Sequence, residues 1–191
     1  EFEVGPDALR DMMADKELHP ERTLDIRTYT RIELGGTALS VCEVPGHTPG
    51  SVVVLDERSN RLFTGDAIGS GYGVWMQTPT AIPLETYYES LVHLLKWLVD
   101  RGGRMSFHGG HRYQMFQSTH VPAFNPPSLG LLCDLIDLVD QIVHGKIVGR
   151  ISNVDNIMEL EPVLYAAYGR AEIQYKASNI KKRPDAVSAK V

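Results

Sequence analysis

Three short runs carry side chains that bind metal ions: Gly46-His47-Thr48-Pro49-Gly50-Ser51, Thr64-Gly65-Asp66-Ala67 and Gly109-Gly110-His111. They share a layout, in which each metal-capable side chain follows a short strand pattern and sits in a glycine-bounded turn. Glycine lets the backbone crowd around an ion, and strand ends can converge at one edge of a sheet. Two histidines and one aspartate are enough donors for a catalytic zinc that keeps one open position. Taken singly, His47 or His111 is an ordinary polar turn residue and Gly65-Asp66 is a common turn dipeptide. The conjunction is what points to a site.

The elements that must position these turns read as follows. Gly5-Pro6-Asp7 opens a short helical pattern with Leu9, Met12 and Met13 on one face. Alternation predicts a strand around 23–33, Leu34-Gly35-Gly36 predicts a turn, and Ala38 to Val44 predicts a second strand ended by Pro45-Gly46. Ser51 to Leu55 and Arg61 to Thr64 are further short β-branched or alternating runs, so an antiparallel meander is expected. Residues 65–83 read as one long loop. Pro83 then opens a helix whose apolar positions are Leu84, Tyr87, Tyr88, Leu91, Leu94, Leu95 and Leu98, closed by Gly102-Gly103. Arg104 to Phe107 reads as a strand, followed by His108-Gly109-Gly110-His111. Ser128 is the expected N-cap of a helix with Leu131, Leu132, Leu135, Ile136, Leu138, Val139 and Ile142 on its apolar face, and Gly145 its C′ residue. Two closing strands, Leu164 to Tyr168 and Ala171 to Tyr175, flank Gly169. No linker divides the chain, so 1–191 is read as a single domain.

Composition narrows the class. The chain is 43% hydrophobic and 23% charged, with a net charge of −5, so no global basic field invites nucleic acid. Lys181-Lys182-Arg183 is a small basic cluster near the end and reads as a solvated tail. The longest apolar stretch, Leu129 to Val143, is interrupted by Asp134, Asp137 and Asp140 and is too short for a bilayer span, so no membrane partner is expected. Cys42 and Cys133 lie in apolar patterns and both read as small buried hydrophobes without a disulfide. That usage fits a reducing, cytoplasmic compartment.

The run from Leu34-Gly35-Gly36-Thr37-Ala38-Leu39 through Val44-Pro45-Gly46-His47-Thr48-Pro49-Gly50-Ser51, followed by Leu62-Phe63-Thr64-Gly65-Asp66-Ala67, resembles the metallo-β-lactamase superfamily. Gly110-His111 resembles the family's later histidine motif, and His111 matches it better than His108. The resemblance implies an α/β (α+β) fold, the αββα sandwich of that family. It implies that His47 joins a first metal site, that Asp66 bridges two metals, and that His111 belongs to a second site, with two zinc ions in the complete enzyme and Mn or Fe as alternatives. A carboxylate has two oxygens and can hold two ions about 3.5–4 Å apart; such a pair brings the pKa of a bound water to near 7. The implied activity is hydrolysis of an ester, thioester, lactone or phosphodiester by a metal-bound hydroxide. Asp66 stands where many zinc β-lactamases have cysteine, which leans the resemblance toward the glyoxalase II, lactonase and phosphodiesterase branches.

The family's leading His-x-His-x-Asp-His motif is absent from these 191 residues, and in the family it lies N-terminal to everything quoted above. The chain also begins at Glu1 rather than Met. It is therefore expected to be the C-terminal portion of an incomplete sandwich, impaired alone, whose partner is a missing N-terminal segment or complementary chain, or a second copy in a homodimer. Two rival functions remain: a non-catalytic subunit or binding module of the same fold, and an iron-dependent oxidoreductase of that fold. On the substrate side, Tyr72, Trp75 and Met76 follow the Asp66 turn and can wall a small-molecule pocket. Tyr113 and His108 flank His111 and are candidate substrate-side residues, although ordinary packing explains each of these side chains as well.

Overall fold

β-branched and alternating runs separated by two- to eight-residue turns pair with their sequence neighbours at the least cost in loop closure. The computed structural model, which describes residues 31–69, 73–110, 127–152 and 161–181, shows this outcome. Strands β1 (Arg31–Glu33), β2 (Ala38–Glu43), β3 (Val52–Asp56) and β4 (Arg61–Gly65) form an antiparallel meander. Strand β6 (Ser106–Gly109) adds to β4 in parallel, giving the order β1-β2-β3-β4-β6. A parallel neighbour needs a long crossover, which here contains β5 (Val74–Met76) and helix α1 (Leu84–Val99).

Alternation along β3 and β4 decides which face is covered. Val53, Leu55 and Leu62 are buried, while Arg61 and Phe63 are exposed. The covered face packs against α1, whose buried Leu84, Tyr87, Leu91, Leu94 and Leu98 recur every three or four residues. Gly102 and Gly103, with φ of 87° and 64°, stop this helix, and the Gly103 amide reaches back to the Leu98 carbonyl.

The expected strand at 23–33 is seen only as β1, because residues before 31 lie outside the description; so does the helical pattern at Leu9, Met12 and Met13. The stretch 65–83 is not all loop. Val74–Met76 forms β5 and joins a second sheet, order β5-β9 (Ala171–Lys176)-β8 (Val163–Tyr168)-β7 (Arg150–Ile151), through parallel pairing to β9. A three-residue strand held by a distant partner has no periodicity of its own to read. Strands β8 and β9 form the hairpin expected around Gly169, which has φ of 55°.

Helix α2 (Leu129–Val143) begins where Ser128 Oγ accepts the Leu131 amide at 3.1 Å, as the N-cap reading requires. Its face of Leu131, Leu132, Leu135, Leu138, Val139 and Ile142 is buried against α1, β8 and β9. Cys133 corrects the sequence reading: it is exposed, because it falls between the apolar stripe's turns on the solvent side of α2, whereas Cys42 is buried in β2 as expected. One hydrophobic core joins the first sheet, both helices and the second sheet. Among the described residues no helix is long and apolar enough to cross a membrane.

Candidate metal centre

Strand direction brings the three candidate turns together. β2 and β4 each run antiparallel to β3, and β6 runs parallel to β4. The C-terminal ends of β2, β4 and β6 therefore lie at one edge of the first sheet. The turn that carries His47 leaves β2, the turn that carries Asp66 leaves β4, and Gly110 leaves β6.

His47 is half-buried and held from two sides. Its ring Nδ1 lies 2.6 Å from the Trp75 carbonyl oxygen, and its own carbonyl accepts the Thr78 hydroxyl at 3.1 Å. A carbonyl only accepts, so Nδ1 is the donor, and in the neutral ring it is Nε2 that keeps the lone pair. That is the tautomer and the fixed ring plane that a metal-ligating histidine needs. Trp75 is in β5 of the second sheet, so the His47 ring reaches across the seam between the two sheets.

The Asp66 turn is built from backbone. Gly65 has φ of 49°, a left-handed conformation that favours glycine, and Ala67 N bonds back to Thr64 O at 3.1 Å. Ala67 and Ile68 are buried at 1% and 2% exposure, which anchors the turn from below. Asp66 Oδ1 is shielded from solvent. The Gly110 amide donates to the Gly65 carbonyl at 3.3 Å, and Thr64 Oγ1 donates to His108 O at the same distance. A Cβ at Gly110 would sit 3.1 Å from Gly65 Cα and 3.5 Å from Asp66 Oδ1. The chain thus passes close beside the Asp66 carboxylate at the residue immediately before His111.

His111 itself, with Tyr113 and Tyr72, lies outside the described residues. His108 ends up inside β6 rather than after it, because the strand runs two residues past Phe107. There it stacks on Phe63 at 5.4 Å between ring centroids, and its Nε2 meets Ser106 Oγ at 3.2 Å. Trp75 is 36% exposed beside the His47 turn, whereas Met76 is fully buried in the core and is not available to wall a pocket. Trp75 also starts a row in register across the second sheet, through Gln174 and Tyr165 to Arg150, whose guanidinium lies 5.0 Å over the Tyr165 ring.

Three contributors were not legible in the sequence as parts of this region. The Trp75 carbonyl is backbone and has no residue signature. Thr78 is a plain loop threonine. Tyr87 looked like one more apolar helix position, yet its hydroxyl donates to the Ala67 carbonyl at 2.6 Å.

The donor chemistry fits a divalent cation in part. An oriented imidazole nitrogen and a carboxylate are both ordinary ligands of zinc, manganese and iron. Among the described residues no group of three His, Cys, Asp or Glu stands close enough to hold an ion. The described part supplies His47 and Asp66, and the sequence places a third donor directly after Gly110.

The family model for the metallo-beta-lactamase superfamily matches residues 4–112. No curated protein matches the chain. Among solved structures, ETHE1 from Myxococcus xanthus is similar at 22% identity and a TM-score of 0.36, over 56% of this chain and 48% of that one. An archaeal metallo-beta-lactamase superfamily protein from Sulfolobus tokodaii is similar at 16% identity and a TM-score of 0.40, over 80% of this chain and 58% of that one. The chain spans about half the length of these solved structures.

Proposed function

Because the chain belongs to the metallo-beta-lactamase superfamily, whose members are generally metal-dependent hydrolases, we propose that it carries part of the metal centre of a hydrolase acting on an ester, thioester, lactone or phosphodiester. One observation supports this above the others: the turns of His47 and Asp66 and the backbone at Gly110 leave three same-direction strands at one sheet edge. In this reading His47, through Nε2, Asp66 and His111 are the residues that would hold the divalent centre. A divalent pair so held supplies Lewis acidity and lowers the pKa of a bound water to near neutrality.

The chain's own residues do the remaining work. The Trp75 carbonyl keeps the His47 proton on Nδ1, and Thr78 fixes the backbone on which the ring is carried. The glycine at 110 leaves room for the Gly65 backbone that leads into the Asp66 turn. Trp75, half-exposed beside that edge, walls the substrate side; Tyr72 and Tyr113 are assigned there by sequence position.

Metal analysis of the full-length protein, with a panel of ester, thioester, lactone and phosphodiester substrates, tests the proposal. About two zinc or manganese ions per protein, with turnover of at least one substrate class lost in Asp66→Ala, is the expected result. No bound metal after reconstitution would assign the chain to a non-catalytic subunit. Iron with oxygen consumption and no hydrolysis would assign it to oxidoreductase chemistry.

A further inference from the structure

Tyr87 sits on the first turn of α1, away from both candidate ligands in sequence, and touches the turns of both. Its ring lies directly over Gly46, the residue before His47: any Cβ at Gly46 would overlap the ring atoms Cδ2 and Cε2. Its hydroxyl donates to the carbonyl of Ala67, the residue after Asp66, at 2.6 Å. The start of α1 is tied to the same place, since Ile82 N donates to the Gly46 carbonyl at 3.0 Å. Tyr87 is fully buried, and burial pushes its phenol well above the ordinary tyrosine range, so it stays a neutral donor.

From this geometry we infer that Tyr87 is a positioning residue that sets the spacing between the His47 and Asp66 turns, one through ring packing and the other through its hydroxyl. The inference rests on the metal-centre reading given above, and it concerns how the centre is held rather than what it does. A leucine or phenylalanine would fill the helix face equally well, and the sequence periodicity is indifferent to the choice. Only a para-hydroxyl reaches Ala67 O while the ring remains on Gly46. The core does not need a tyrosine at this position for burial alone, because a buried phenol is favourable only where its hydroxyl finds a partner. The bond is made to the backbone of the Asp66 turn, and this is the observation that points to positioning.

The test compares Tyr87→Phe with Tyr175→Phe in the full-length protein. Tyr175 is also buried, and its hydroxyl accepts the Gly149 amide at 3.0 Å in the second sheet. Each variant loses one buried hydroxyl contact, so each is expected to melt at a lower temperature. Only Tyr87→Phe is expected to weaken Co(II) binding, by roughly 10-fold or more, the effect typical of losing support behind a ligand. Its Co(II) absorption spectrum should change as well. Tyr175→Phe should keep the wild-type affinity and spectrum. A wild type that binds Co(II) and a Tyr87→Phe variant that binds it with equal affinity would overturn the inference.

Amide hydrogen exchange of the metal-free protein separates this from the larger reading. Faster exchange in Tyr87→Phe at both 45–48 and 65–68, with Tyr175→Phe leaving those segments alone, supports the clamp even if the wild type binds no Co(II) and the metal reading fails. Unchanged exchange at either segment overturns the clamp.

Discussion

Replacing Gly110 with alanine perturbs the postulated centre while leaving every candidate ligand in place. The added methyl would lie 3.1 Å from Gly65 Cα, 3.3 Å from Gly65 C and 3.5 Å from Asp66 Oδ1. The first two are backbone atoms of a turn already fixed by the Gly110–Gly65 hydrogen bond, so they cannot swing aside as a flexible side chain would. They must move by a few tenths of an ångström. Overpacking of this kind costs about 1–3 kcal/mol, and a single methyl against two close atoms belongs at the low end. For a chain of this size about 1 kcal/mol corresponds to a fall in Tm of roughly 2–4 °C. The Asp66 turn takes the displacement, so zinc affinity should fall by roughly 10–100-fold. Gly36→Ala is the control, because a Cβ there meets nothing within 4 Å. Thermal melting of the metal-free proteins and zinc competition against a chelator would read both quantities. If Gly110→Ala matched Gly36→Ala in both, the close approach of the β6 end to Asp66 would be wrong.

Other expectations follow from single contacts. Ser128→Ala removes the N-cap acceptor for the Leu131 amide and should lower stability by about 1 kcal/mol in a urea melt, with zinc affinity unchanged. Asp56 and Glu57 are both held down to about 2, Asp56 by the Ser59 and Thr37 hydroxyls and Glu57 by Arg31 and Ser40. Carboxylates depressed in the folded state contribute stability above their ordinary values of 3.8 and 4.5, and lose it as pH falls toward 2. Glu57→Gln should therefore be less stable than wild type near pH 6, with the gap in urea midpoint closing below pH 4.5. Native protein should react with one equivalent of a thiol reagent, at exposed Cys133, because Cys42 is buried and its thiol is pushed up to about 11; unfolding should release the second. Two fast-reacting thiols in the native state would contradict the packing of β2.

Where the pattern was strong the sequence was readable. Strands β2 to β4 of the meander, the α1 stripe, the Ser128 cap and the β8–β9 hairpin all arise from local periodicity or local hydrogen bonding, and they appear within a residue or two of their expected bounds. Strands β5 and β7 did not show, because at three and two residues they exist only through partners far along the chain. Cys133 was misread because its apolar neighbours Leu131 and Leu132 lie on the buried stripe while it does not. The His47 and Asp66 turns were legible as glycine-bounded positions after strands. The supports behind them were not: a backbone carbonyl at Trp75 and a hydroxyl on a helix residue acquire their meaning only from tertiary placement.

The account's central claim is that the His47 and Asp66 turns grip a common cation at one edge of the first sheet. A crystal structure of the full-length protein soaked in zinc, with data at the zinc absorption edge, tests it most directly. The account predicts an anomalous peak about 2.0–2.2 Å from both His47 Nε2 and an Asp66 carboxylate oxygen, with His47 Nδ1 still on the Trp75 carbonyl. A peak coordinated by other residues, or a His47 ring turned so that Nδ1 faces the ion, would contradict it.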